Sequence, residues 1–337
     1  MKRRIFLQQS ALATAGISLA SFPSYASSST NTKTAGDDLF KISLAEWSVN
    51  SLIFGNKIQE LGWMKFGQML RNDYDNLMSD TPMSNLEFPK FARWMGIEAV
   101  EYVNTCFFNK AENSAYLAEL KTTCEGEGIK SLLIMCDAEG AIGDKDEAKR
   151  QKAVENHYKW VDAAAYLGCH SIRVNAQSGG TYEEQMERAA DGLHRLGEYG
   201  EKANINILVE NHGGLSSNGE WLVGVMKKAD HPRVGTLPDF GNFTINYGTN
   251  ETYDRYKGVE EMMPFAKAVS AKATNFDKDG NETNTDYFKV MKIVLDAGYR
   301  GYVGIEFEGE HFSQPEGILA TKRLLERVRE QYKDVYQ

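Results

Sequence analysis

The sequence predicts an α/β fold: a single-domain (β/α)8 TIM barrel with an extra helical insertion after the first strand. Short apolar or β-branched runs alternate with longer amphipathic runs along most of the 337 residues. Nearly continuous apolar strands separated by helices are typical of a parallel sheet covered on both faces. Eight such units fit a closed barrel. The alternative is a doubly wound open sheet, but nothing resembles the glycine-rich phosphate loop of that fold.

The eight predicted strands are short and mostly apolar. They cover residues 41–46, 97–103, 130–136, 171–175, 205–210, 233–239, 268–273 and 302–308. Amphipathic helices are predicted at 146–167, 180–203, 284–297 and 315–332. The stretch 48–85 is too long for one helix, and its apolar residues predict a helix over the barrel mouth.

The N-terminus has the features of a cleavable signal. Residues 1–26 predict a twin-arginine signal peptide, because Lys2-Arg3-Arg4 precedes a mildly apolar run and small residues flank a cleavage site after Ala26. Residues 27–38 are polar and predict a disordered spacer, and 39–337 form the barrel. We therefore expect a periplasmic protein exported by the twin-arginine route, without a membrane span.

Charge and cysteine spacing exclude several classes of function. Lys and Arg number 38 and Asp and Glu number 47, which gives a net charge of −9. Such an acidic surface repels phosphate backbones and anionic lipids, so neither a nucleic acid nor a membrane is an expected partner. The four cysteines form no C-x-x-C pair and lie in or near apolar runs, which predicts buried free thiols.

Polar residues gather at the ends of the predicted strands, where barrel enzymes place their active sites. Charged groups in apolar strands are costly unless they are paired or bind a ligand. The pattern therefore predicts a site for a polar small molecule. The expected substrate contacts are Glu46, Trp47, Glu101, Arg173, Asn175, Asn211 and Asn242, and His212 is an expected substrate contact or proton-transfer residue.

Three carboxylates predict a metal site. Glu210, Asp239 and Glu306 each follow an apolar strand. Carboxylates gathered at one point repel one another, so a cation is expected among them. Oxygen ligands favour Mg²⁺ or Mn²⁺, whereas an added imidazole shifts the balance toward Mn²⁺, Co²⁺ or Zn²⁺. Such a metal can hold adjacent hydroxyl and carbonyl oxygens of a sugar.

Three segments of the chain resemble a known superfamily. ILVENHGG, LPDFGNF and GYVGIEFEG are similar to the fifth, sixth and eighth strands of xylose isomerase-like barrels, and the resemblance covers about residues 40–335. That superfamily includes sugar 3-epimerases, hydroxypyruvate isomerase, inosose dehydratase and a DNA-repair endonuclease. The resemblance implies that Glu210, Asp239 and Glu306 bind metal and that Glu210 and Glu306 are the acid–base pair.

Two positions depart from the superfamily pattern. The seventh strand usually reads His-x-Lys, but here it is Ser270-Ala271-Lys272, and the Asp-x-x-His of the sixth strand ends in Asn242. The site thus lacks its expected imidazole. His212, His311 or a substrate oxygen are alternative ligands, and the Lys272 ammonium is an alternative to the metal itself.

Three functions follow as hypotheses. The first is a metal-assisted isomerase or epimerase that abstracts a proton next to a carbonyl of a non-phosphorylated sugar, with Lys272 neutralising the enediolate. The second is a lyase or dehydratase acting on a 3-keto sugar or glycoside. The third is a non-catalytic sugar-binding barrel. The endonuclease branch is a poor fit, because the six histidines are scattered and the net charge is negative. The oligomeric state stays open.

Overall fold

A computed structural model describes residues 39–176 and 178–336. The signal peptide and spacer predicted for residues 1–38 lie outside the described residues and stay predictions. The predicted barrel is confirmed, since eight parallel strands form one sheet. We label them β1 to β8: Lys41–Ala45, Ala99–Val103, Lys130–Met135, Ser171–Val174, Asn206–Glu210, Val234–Leu237, Val269–Ala273 and Tyr302–Phe307.

The strands follow chain order around the sheet, from β6 back to β1 and then through β8 to β7. Backbone hydrogen bonds join β6 to β7 and close the ring. The Lys267 amide donates to the Thr236 carbonyl at 3.1 Å, and the Ser270 amide donates to the Pro238 carbonyl at 2.9 Å. The eight barrel strands are parallel, so their carboxyl ends lie on one rim, while Thr244–Asn246 and Glu251–Thr252 form a separate antiparallel pair.

The described residues contain eleven α-helices. They span Asn50–Phe54, Lys57–Asn72, Tyr74–Leu77, Phe88–Trp94, Ser114–Glu127, Glu147–Leu167, Tyr182–Ala203, Gly219–Ala229, Arg255–Met262, Tyr287–Asp296 and Gln314–Tyr332. Side-chain caps fix several starts: Asp146 accepts from the Lys149 amide, and Thr181 forms a capping box with Glu184. None of these helices is long and apolar enough to cross a membrane.

The predicted insertion lies between β1 and β2. Its longest helix, Lys57–Asn72, is interrupted at Gly62, whose φ of 69° and ψ of 155° are not helical. A positive φ is costly for residues other than glycine. Phe66 and Leu70 anchor the second part of this helix in the core. The helix therefore lies against the barrel mouth, as the sequence predicts.

The barrel interior contains a buried carboxylate. The Ser43 hydroxyl on β1 donates to Glu101 Oε1 on β2 at 2.6 Å. A Cβ at Gly304 on β8 would lie 2.5 Å from the same oxygen, so any larger residue there would displace the Glu101 carboxylate. All four cysteines are buried and free, which confirms the sequence prediction.

Candidate active site

A cavity of about 1030 Å³ opens at the carboxyl ends of the strands. Its polar side is built from groups at the ends of β3 to β8, and its apolar side from the insertion. The polar lining includes Asp137, Arg173, Asn175, His212, Asn242, Lys272, Glu306 and Glu308. The apolar lining includes Trp47, Trp63, Met64, Phe66 and Leu70. The expected contacts Trp47, Arg173, Asn175, His212 and Asn242 thus share one cavity.

The three carboxylates predicted as metal ligands come together below this cavity. Glu210 ends β5, Asp239 follows β6, and Glu306 lies in β8. Each offers one oxygen, and these oxygens lie within 4.8 Å of one another. Glu210 and Asp239 are fully buried and Glu306 is 3% exposed. Only Glu306 of the three lines the cavity.

Two buried cations neutralise part of this charge. Lys272 Nζ on β7 lies 3.0 Å from Glu306 Oε1 and 3.2 Å from Glu308 Oε1. On the other side, Arg173 Nε on β4 lies 2.8 Å from Glu210 Oε2. Of the three carboxylates, Lys272 is thus paired with Glu306, which lines the cavity, and Arg173 with Glu210, which does not.

Asp239 is held by neighbouring donors. Its Oδ1 accepts from the amides of Gly241 and Asn242, both at 2.8 Å. Its Oδ2 accepts from the Ser270 hydroxyl at 2.7 Å, and that hydroxyl also lies 3.3 Å from Glu306 Oε2. Ser270 therefore occupies the position of the expected histidine and bridges two carboxylates.

The donor set fits a small divalent cation. All three close ligand atoms are carboxylate oxygens, the type that Mg²⁺ and Mn²⁺ prefer. Glu210 Oε2 is buried without a hydrogen bond among the described residues, although it faces Arg173. Burial raises the pKa of Glu210 and of Asp239 to about 7, because the loss of solvation outweighs the attraction of Arg173 for Glu210 and of Lys272 for Asp239.

Two expected substrate contacts, Asn211 and Glu101, do not line the cavity. Asn211 ties β5 to the loop after β6: its amide donates to the carbonyls of Asp239 and Asn242, and its oxygen accepts from the Asp239 amide at 2.7 Å. Glu101 lies inside the barrel, where burial raises its pKa to about 7. His311 is exposed and does not line the cavity.

Two further residues that line the cavity, Asp137 and His157, were not among the expected substrate contacts. Asp137 lies two residues beyond the end of β3 and accepts from Arg173 and Asn175 at 2.9 and 2.7 Å, and its place near a strand end was the available signal. His157 lies in a helix, yet its ring lines the cavity, while its Nδ1 is 2.7 Å from the Ala153 carbonyl. Sequence spacing alone predicts a structural role for it.

Glu46, another expected contact, is buried beside the cavity. It is fully buried, with Oε1 accepting from the Asn85 amide at 2.8 Å and Oε2 from the Val103 backbone at 2.9 Å. Burial raises its pKa from 4.5 to about 8 despite these donors. The folded protein therefore holds a proton on Glu46 between these pH values, and the free energy of unfolding falls as pH rises through this window.

We expect Glu46→Gln to remove that pH dependence. The difference in unfolding free energy between the variant and wild type should grow by about 1.4 kcal/mol per pH unit between pH 5 and 8, because glutamine does not ionise. Urea unfolding at several pH values measures it, and titration of Glu101 cancels in the difference. Glu98→Gln, at a side chain that is 76% exposed, is the control. Parallel curves for Glu46→Gln and wild type would contradict the prediction.

Comparisons with known proteins agree with this architecture. Inosose dehydratase from Geobacillus thermodenitrificans (strain NG80-2) is 27% identical over 146 residues, which are 37% of this chain and 48% of that protein. The 3'-dehydrocarminate deglycosidase alpha subunit of Microbacterium sp is 27% identical over 93 residues, 25% of this chain and 27% of that protein. The matched segments thus span about half or less of these curated relatives.

A solved structure and a family model cover more of the chain. The 3-keto-D-glucoside 4-epimerase from E. coli superposes with a TM-score of 0.59 at 16% identity, covering 74% of this chain and 96% of that one. This likeness concerns the fold. The family model described as xylose isomerase-like TIM barrel matches residues 89–330. The chain belongs to the xylose isomerase-like TIM barrel family.

Proposed function

We propose that this protein is a carbohydrate isomerase or epimerase that removes a proton from the carbon next to a carbonyl group. The observation that carries the proposal is the Glu306–Lys272 pair, 3.0 Å apart, at the surface of the large cavity. A carboxylate accepts the proton, and the adjacent ammonium stabilises the negative charge that develops on the carbonyl oxygen. A base and an oxyanion stabiliser are thus adjacent.

The remaining polar groups suit a sugar. Arg173, Asn175 and Asp137 form a hydrogen-bonded set in the cavity lining, which offers both donors and acceptors to hydroxyl groups. His212 also lines the cavity, so we assign it the return of the proton. Glu210 is fully buried, and Asn242 donates to its Oε1 at 3.0 Å, so its carboxylate acts from below rather than on the substrate.

A divalent metal fits the same arrangement. Glu210, Asp239 and Glu306 would hold it through the oxygens that lie within 4.8 Å of one another. When bound, such an ion polarises carbonyl and hydroxyl oxygens of a substrate. Ser270 keeps two of these carboxylates oriented through its hydroxyl.

Solvent exchange tests the proposal directly. Keto sugars, including D-fructose and 3-keto-D-glucose, are incubated with the protein in D₂O, with and without added Mg²⁺ or Mn²⁺, and followed by NMR. We expect deuterium at the carbon next to the carbonyl for at least one sugar. Sugar binding without exchange for any member of the panel would contradict the proposal and favour a non-catalytic sugar-binding barrel.

A lyase is the second candidate, because it needs the same base next to the same positive charge, which Glu306 and Lys272 supply. Glu306 would take the proton next to the ketone, the C–H electron pair would form a C=C bond, and the neighbouring C–O bond would break. The leaving oxygen keeps the C–O electron pair and takes a proton from His212. Two relatives are named as a dehydratase and a deglycosidase. An unsaturated ketone product, detected by its vinyl proton, distinguishes this reaction from epimerisation.

A further inference from the structure

Three large apolar side chains are exposed to solvent at the same cavity. Trp63 is 64% exposed, Met64 is 80% exposed and Tyr247 is 73% exposed, and all three line the cavity that contains Glu306. Trp63 and Met64 belong to the insertion, and Tyr247 follows the strand Thr244–Asn246 in the loop after β6. Clustered exposed apolar groups mark binding surfaces, whereas single ones need no explanation.

Trp63 is held in place although it is exposed. Its ring stacks on Trp47 with 6.0 Å between centroids and 26° between planes, and it meets Phe66 edge-on at 6.1 Å. Gly62, with its positive φ, breaks the helix immediately before it. An aromatic platform of Trp47, Trp63 and Phe66 therefore extends from the end of β1 to the cavity rim.

The cavity exceeds the needs of one sugar ring. Its volume of about 1030 Å³ lies at the upper end of the range for pockets that enclose drug-sized ligands, roughly 300–1,000 Å³. The polar groups that suit hydroxyls lie on the barrel rim, whereas the insertion contributes mainly apolar side chains. Gln68 and Arg71 are polar exceptions on this side, but most of its lining is apolar and matches a flat apolar group better than a second sugar.

We propose that the substrate is a glycoside whose sugar sits at Glu306 and Lys272 and whose aromatic aglycone packs on Trp63, Met64 and Tyr247. This inference rests on the proposed carbohydrate function and specifies its substrate class. It applies equally to an epimerase and to a lyase, because in both the apolar group serves as a binding handle.

Binding of unreactive glucosides tests the inference. Phenyl and methyl β-D-glucoside, which carry no ketone, are titrated calorimetrically into wild type, Trp63→Ala, Tyr247→Ala and Trp94→Ala. Trp94 is a matched control, since it is 63% exposed and lies outside the cavity lining. We expect wild type and Trp94→Ala to prefer the phenyl glucoside by about tenfold, and Trp63→Ala and Tyr247→Ala to reduce this preference to about twofold.

Several results would overturn the inference. One is an unchanged preference for the phenyl glucoside in both cavity variants. Another is that cellobiose gains as much affinity over methyl glucoside as phenyl glucoside does. A third is that wild type does not prefer the phenyl glucoside. A change of oligomeric state in Trp63→Ala with an unchanged preference would instead assign the surface to a second copy of the chain. If wild type prefers the phenyl glucoside but catalyses no α-proton exchange, only the proposed reaction would be contradicted.

Discussion

Glu306→Gln is expected to lower kcat by about 10²–10⁴-fold while leaving the barrel folded, because a positioned general base contributes about that much. Glutamine keeps the shape of the side chain but cannot accept the α-proton. Burial alone would raise the pKa of Glu306, but the Lys272 ammonium outweighs it and holds the pKa below its usual range, so the group is an ionised base at neutral pH. Deuterium incorporation by NMR provides the rate.

Glu308→Gln is the matched control. Glu308 also lies beside Lys272, at 3.2 Å, so its substitution removes one negative charge from the same ammonium. Its side chain is 34% exposed, compared with 4% for Glu306. We expect less than a tenfold loss for this variant. Equal losses in the two variants would show that the charge around Lys272 matters rather than the position of the base.

Strand positions were predictable because each buried parallel strand is a short apolar run, and several of the helices between strands begin at a side-chain cap. All eight strands lie where the sequence predicts, with ends shifted by one or two residues. The helix predicted at 284–297 instead begins at Tyr287, because Asp286 caps it and accepts from the Lys289 amide. A side chain that caps the start of a helix acts locally, and several nearby polar residues could provide the same cap.

The cluster of three carboxylates was also predictable, since parallel strands place their carboxyl ends on one rim. The sequence did not predict which of the three carboxylates lines the cavity. Glu210 and Glu306 both follow apolar runs, yet Glu210 is covered by Arg173 and Asn242 while Glu306 lines the cavity. Depth inside a barrel depends on strand tilt and on neighbours distant in sequence, and neither can be deduced from local patterning.

The aromatic side of the cavity was the least predictable part. The insertion was expected to cover the mouth, but the stacking of Trp63 on Trp47 depends on the break at Gly62 and on a contact between residues that are separated in the sequence. Tyr247 reaches the same cavity from the loop after β6. Periodicity describes which face of a helix is apolar, not which cavity that face lines.

Lys272→Met is expected to lower kcat by about 10²–10³-fold, the usual cost of removing one group that stabilises a developing oxyanion. Methionine fills a similar space without charge. The variant should also lose stability, by roughly 3–5 kcal/mol, because it leaves Glu306 buried without its partner. Lys272→Arg, which keeps the positive charge, should recover stability more fully than rate. Thermal unfolding and deuterium exchange measure the two effects separately.

A separate experiment tests whether Lys272 is a Schiff-base nucleophile, a role that requires a neutral amine. Burial alone would lower the pKa of Lys272, but the surrounding carboxylates, Glu306 foremost, hold it well above its usual range. Two of them lie 3.0 and 3.2 Å from Nζ. We therefore expect borohydride to cause no inactivation in the presence of substrate. Irreversible inactivation with substrate mass added at Lys272 would contradict electrostatic stabilisation and establish covalent catalysis.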